Sequence, residues 1–121
     1  MPKSDWVERA RRVEKPWGYE LHFALVNDKY CGKELHVNQG HALSLQYHER
    51  KEETICVQSG RLLFEVGADD DLESFELLPD ESVHIRPGVR HRMLAIVDTV
   101  VLEASTTELD DVVRLEDRYG R

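Results

Sequence analysis

The chain has 121 residues, 33% of them charged, with a formal net charge of −8 and an isoelectric point near 5.2. That length supports one domain with one core and leaves no room for a second. The acidic balance excludes nucleic acid and anionic membranes as general partners, so an anionic substrate would need a local basic pocket.

No run is apolar for long enough to span a bilayer, and MPKSDWVERARR lacks the plan of a signal peptide. The cytoplasm is the expected compartment. Residues 1–14 are polar, with Trp6 and Val7 as isolated apolar anchors, and are read as an arm or short helix; the single domain is expected over 15–121. Lys15-Pro16-Trp17-Gly18 is a breaker, and YELHFALV alternates as a strand up to a turn at Asn27-Asp28. Trp17 and Tyr19 are read as packing residues.

KELHV is a short strand with Lys33, Leu35 and Val37 on one face and His36 on the other. After the turn Asn38-Gln39-Gly40 come the strands ALSLQYH, ETICVQ and RLLFEVG, then a charged loop at 68–71. ESFELL and SVHI follow, with turns at Pro79-Asp80 and Arg86-Pro87-Gly88. RMLAIV and VVLEAS, broken at Asp98-Thr99, read as a closing hairpin. The tail ELDDVVRLEDRYGR spaces Leu109, Val112, Val113 and Leu115 as a short helix or turn would, with Arg114 expected to pair with acids. Many short strands punctuated by Gly and Pro predict an all-β antiparallel sandwich or barrel. Cys31 and Cys56 lack the spacing of a thiolate site, and Cys56 reads as a small core residue.

Chemistry concentrates in one constellation. Gln46 and His48 are two apart on a strand and so share a face; Glu53 begins the next strand, and His91 follows the turn RPGVR. Two imidazoles, a carboxylate and an amide oxygen form a nitrogen/oxygen set suited to one divalent ion: Zn, Mn, Fe, Co or Ni. Gln46 is the weakest donor of the set, because a neutral amide oxygen donates less than imidazole. Arg90 and Arg92 flank His91 with opposite strand parity; Arg92 is expected to pair with surface carboxylates, and His84 and His36 to face outward.

The run GHALSLQYHERKEETICVQSG, from Gly40 to Gly60, resembles the first motif of the cupin superfamily, with Gln46 where many members carry a first His. PGVRH, ending at His91, is similar to the second motif; its Pro stands one place later than usual, and Ala95 replaces a frequent Asn. KPWGY, LSLQYH, IRPGVRHR and the ending DDVVRLEDRYGR are similar to the type II mannose-6-phosphate isomerase cupins, often fused behind a mannose-1-phosphate guanylyltransferase domain. The resemblance covers residue 13 to the end. It implies a double-stranded β-helix, or jelly-roll barrel, here as a stand-alone cupin domain, and metal ligation by Gln46, His48, Glu53 and His91.

The function it implies is a metal-dependent aldose–ketose isomerase acting on a phosphorylated sugar through an enediolate. Lys33, if its face lines the barrel, is the expected base. Lys51, standing where the resembling family has an Arg, and Arg90 are expected to hold the phosphate. Two other classes remain open: an Fe- or Ni-dependent dioxygenase, against which Gln46 argues, and a non-catalytic sugar- or nucleotide-sugar-binding module. Oxygen consumption with bound iron separates the first from the isomerase; an intact ligand set without turnover marks the second. A homodimer is expected, with an apolar sheet face covered by pairing and the strand over 15–26 exchanged between copies.

Overall fold

A computed structural model describes residues 2–121. After a short 3-10 helix at Lys3–Asp5, eleven strands follow. They are β1 (Arg11–Lys15), β2 (Gly18–Val26), β3 (Tyr30–Val37), β4 (Leu45–Tyr47), β5 (Glu53–Ser59), β6 (Leu62–Gly67), β7 (Glu73–Leu77), β8 (Ser82–Ile85), β9 (Arg90–Ala95), β10 (Thr99–Ser105) and β11 (Val113–Glu116). They form a six-stranded sheet, β1-β2-β3-β10-β5-β8, and a five-stranded sheet, β11-β4-β9-β6-β7, with every pairing antiparallel. Successive strands alternate between the sheets from β3 onward, apart from β6–β7, which gives the jelly-roll barrel of the cupins. No helix among the described residues is long and apolar enough to cross a membrane.

Three local expectations are corrected. RMLAIV and VVLEAS are not a hairpin: β9 lies in the smaller sheet and β10 in the larger, so the turn at Asp98 carries the chain between sheets. The tail is not helical. Its Val113–Glu116 segment pairs with β4, because the open edge of β4 supplies backbone partners that a short amphipathic helix would lack. Residues 11–14, assigned to the arm by the reading above, are part of β1, which pairs with β2 from Arg11 opposite His22 to Lys15 opposite Gly18. Within one chain β2 pairs with its own β3.

The interior is graded. One end is filled by apolar cross-strand rows: Leu35–Val101–Val57 in the larger sheet, Phe64–Met93 and Leu62–Ala95 in the smaller. All are buried, with Trp17 packed among them, and each large side chain contributes about 2 kcal/mol by leaving water. Toward the other end the same inward positions become polar: His22–Lys33–Glu103, then Cys31–Ser105–Glu53, and across the barrel Gln46–His91. Here the alternation of strands continues while the chemistry changes, and this marks the site.

Candidate metal centre

His48 follows β4, Glu53 opens β5 and His91 lies on β9, so both sheets contribute. All three residues are at least 97% buried. His48 Nδ1 donates to the Asp111 carbonyl at 2.5 Å, and His91 Nδ1 donates to the Val89 carbonyl at 3.1 Å. A carbonyl can only accept, so each ring carries its proton on Nδ1 and turns Nε2 inward. These Nε2 atoms approach Glu53 Oε1 at 3.5 and 3.3 Å, off the line of a hydrogen bond, and each is buried with no hydrogen-bond partner.

Two orphaned acceptors and a carboxylate oxygen, within 4.8 Å of one another, form the donor set a divalent nitrogen/oxygen-binding ion requires. The residues fit such an ion.

The electrostatics keep Glu53 ionised, as a ligand must be, while an ion would have to displace a proton that Glu53 favours on His48. Burial pushes the Glu53 carboxyl up, but His48, His91 and Lys51 outweigh it and hold it well below the usual carboxylate range. Burial pulls the His48 imidazolium down, yet Glu53 and the Asp111 carbonyl leave it above the usual histidine value. Lys51 is buried, with Nζ 3.2 Å from Glu53 Oε2 and 3.1 Å from Glu103 Oε2. Burial lowers its pKa, and the Glu103 and Glu53 carboxylates raise it to a net value above that of an ordinary lysine. The two oxygens of Glu53 therefore have different neighbours: Oε1 faces the imidazoles and Oε2 the ammonium.

Gln46 lies directly across from His91 and shares its face. Its Oε1 accepts a hydrogen bond from the buried Ser44 hydroxyl at 2.6 Å. Lys33 is buried and inward-facing as its strand parity required; its nearest carboxylate is Glu20, at 3.5 Å, and not Glu53. Glu20 also accepts from His22 Nε2 at 2.8 Å. Burial raises the Glu20 carboxyl, while Lys33 and His22 bring it to a net value below the usual range. Arg90 is partly exposed and pairs with Asp70 of the 68–71 loop. Arg92 pairs with Glu65 and Glu116, and His84 is exposed.

Arg114 departs from expectation. No carboxylate lies within ion-pair distance of it among the described residues, and it stands opposite Gln46, on the face that carries Gln46 and His91. Ser44, Glu20, His22 and Glu103 escaped the reading of the sequence. The signal for Glu20 and His22 was present, since they alternate on one strand as Gln46 and His48 do.

Comparison with known proteins agrees with the geometry. The family described as mannose-6-phosphate isomerase C-terminal matches residues 3–117. A mannose-1-phosphate guanylyltransferase of Escherichia coli (strain K12) is 34% identical over 118 residues, covering 92% of this chain and 23% of that protein. The xanthan biosynthesis protein XanB of Xanthomonas campestris pv. campestris (strain B100) is 34% identical over 116 residues, covering 92% of this chain and 24% of that one. The chain thus spans about a quarter of the length of these relatives. Among solved structures, the capsular polysaccharide assembling protein CapF from Staphylococcus aureus superposes with a TM-score of 0.80 at 20% identity, over 96% of this chain and 37% of that one. KdgF from Halomonas sp. superposes at 0.71 and 17% identity, over 83% and 90%. A cupin barrel, a His–Glu–His cluster at its polar end and a family match over almost the whole chain lead to one conclusion: the chain belongs to the mannose-6-phosphate isomerase C-terminal family.

Proposed function

We propose that this cupin binds one divalent ion through His48, Glu53 and His91, with Gln46 beside them, and isomerises a phosphorylated aldose to its ketose. The observation that carries the proposal is the pair of orphaned Nε2 atoms turned onto Glu53 Oε1 in a member of this family. When bound, the ion supplies Lewis-acid polarisation of neighbouring substrate oxygens and stabilises the charge that develops on them. Gln46 reaches the site by giving up or sharing the hydroxyl of Ser44.

Lys33 is the proposed proton carrier between adjacent substrate carbons, with Glu20 and His22 as the groups that exchange its proton. Arg90 holds the phosphate when it is released from Asp70. Lys51, assigned to the phosphate by the sequence reading, has both neighbouring carboxylates at 3.1–3.2 Å, and we assign it instead to holding Glu53 in place. Arg114, without a carboxylate partner and in the row of Gln46 and His91, joins Arg90 as a rim cation for an anionic substrate. The names of the relatives support the substrate class, since they concern mannose phosphates and polysaccharide synthesis.

The test is direct. Purified protein loaded in turn with Zn²⁺, Mn²⁺, Co²⁺, Ni²⁺ and, without air, Fe²⁺ should equilibrate mannose 6-phosphate with fructose 6-phosphate; absence of turnover with every ion refutes the substrate assignment. A second reading, a sugar-binding module without catalysis, is favoured by how closed the centre is, with each of the three ligands at most 3% exposed. Tight binding of sugar phosphate by the metal-loaded protein without turnover would establish it. A homodimer in the cytoplasm completes the proposal.

A further inference from the structure

We propose that Asp111 is a positioning residue of the metal centre, and that through it the C-terminal segment is a working part of that centre rather than a covering. This inference rests on the metal-binding half of the function proposed above and is independent of the substrate.

Asp111 contacts the ligand region in two ways. Its carbonyl accepts the Nδ1 proton of His48 at 2.5 Å, the contact that turns Nε2 inward. Its carboxylate accepts three successive backbone N–H groups, from Glu49 at 3.0 Å, Arg50 at 2.7 Å and Lys51 at 2.8 Å. Three converging N–H groups form an anion-holding concavity, here filled by a side chain from far along the sequence. The hydrogen bonds fix the turn between His48 and Glu53 and send Lys51 back into the barrel, where it meets Glu53 and Glu103.

The neighbouring contacts run the same way. Thr106 and Glu52 exchange backbone and hydroxyl hydrogen bonds, with Thr106 N donating to Glu52 O at 3.0 Å and Glu52 N donating to Thr106 Oγ1 at 3.0 Å. Beyond Asp111, β11 pairs with β4 beside Gln46. Segment 106–116 is therefore joined to 45–52 along its length, and Asp111 is the point where that joint touches a ligand.

A partner that fixes the tautomer and direction of a ligating imidazole sets metal affinity, commonly by 10- to 100-fold. Linkage requires the reverse effect as well: an ion that needs His48 in this orientation stabilises the docked segment.

The experiment titrates the 121-residue chain and its Asp111→Ala, Asp111→Asn and Thr106→Ala variants with Co²⁺ and Zn²⁺ against a chromophoric chelator. Amide hydrogen exchange over 106–116 is followed with and without Zn²⁺. Asp111→Ala keeps the carbonyl that meets His48 but frees the N–H groups of residues 49–51, so it acts by loosening the joint that places that carbonyl. It should weaken Co²⁺ binding by up to about 10-fold and change the visible Co²⁺ spectrum. Asp111→Asn, which keeps one oxygen acceptor, should lose less and remains informative if the alanine variant fails to fold. Thr106→Ala loosens the same segment without touching His48 and should leave the Co²⁺ spectrum unaltered. Zn²⁺ should slow exchange over 106–116 in the unmodified protein and less so in Asp111→Ala. Equal Co²⁺ affinity and equal exchange in the unmodified protein and Asp111→Ala overturn the inference alone. Failure of the unmodified protein to bind either ion overturns it together with the metal reading.

Discussion

Lys33 and Glu20 show what a single buried residue does here. Both side chains are about nine-tenths buried, and the ammonium lies 3.5 Å from the carboxylate. Neither charge would be tolerated in the interior without the other. The Glu20 carboxyl has a folded-state pKa below its ordinary value of 4.5, so it contributes stability that is fully present above that value and is lost as the pH falls through the lowered one. Glu20→Gln leaves Lys33 buried without an anion and should cost about 3 kcal/mol at pH 7. The sign of the pH effect follows: the gap between the two proteins should shrink as the pH drops below 4.5, because acid then protonates the same carboxylate in the unmodified protein. Urea unfolding at pH 7, 5 and 4 and, if folded protein persists, at pH 3 measures it. A gap that stays constant down to pH 3 would mean that Glu20 acts through packing or through His22 and not through charge. Lys33 was legible in the sequence because its strand partners Leu35 and Val37 are apolar. Its counter-ion was not, since Glu20 meets it diagonally across β2 and β3, and that pairing depends on a register no composition reveals.

At the scale of elements, register was the information the sequence withheld. The strands of the barrel were readable from alternation and from their Gly and Pro boundaries, and so were His48, Glu53 and His91, because each sits at a strand end beside a turn. What could not be read is which edge a segment joins. The tail has a helix-like spacing of Leu109, Val112, Val113 and Leu115, yet β4 offers an unpaired edge and draws Val113–Glu116 into a strand. The apparent hairpin at Asp98 fails for the same reason, as β9 and β10 each find better partners in opposite sheets. Gly18 shows how closely one such joint is built. It opens β2 with φ of 150°, and a Cβ added there would lie 1.9 Å from the His36 carbonyl oxygen on β3. That oxygen belongs to the backbone and cannot yield as a side chain would. Gly40 also has positive φ, 80°, but a Cβ there meets nothing within 4 Å. Gly40→Ala should therefore cost only the conformational penalty, about 1 kcal/mol. Gly18→Ala should cost clearly more, because β2 and β3 must separate at their first pair. Urea midpoints of the two variants, compared at equal m-value, decide it; equal losses would show that the β2–β3 joint is soft.

For the molecule as a whole, the open question is what covers the outside of the larger sheet. Phe23 and Tyr30 are more than half exposed and Val26 more than a third, and all three belong to the β2–β3 hairpin. Beside them runs a groove of about 660 Å³ whose walls include Leu102, Ala104 and Cys56 and whose lining is chiefly apolar. A patch of this kind on a small acidic protein carries a cost in water that a second copy can remove. His48 and His91 are not among the residues that line this groove, whereas Glu53 is. A stable pair of this class buries about 800 Å² on each partner. Light scattering at micromolar concentration should give twice the chain mass of 14.1 kDa. The double variant Phe23→Glu/Tyr30→Glu places two carboxylates in the patch and should return the single-chain mass while Co²⁺ affinity holds. The pairing also predicts that β1, the edge of the larger sheet, is not needed for it, since the contact is face to face. A single-chain mass for the unmodified protein would remove the dimer, and a double variant that still pairs would move the interface to that β1 edge.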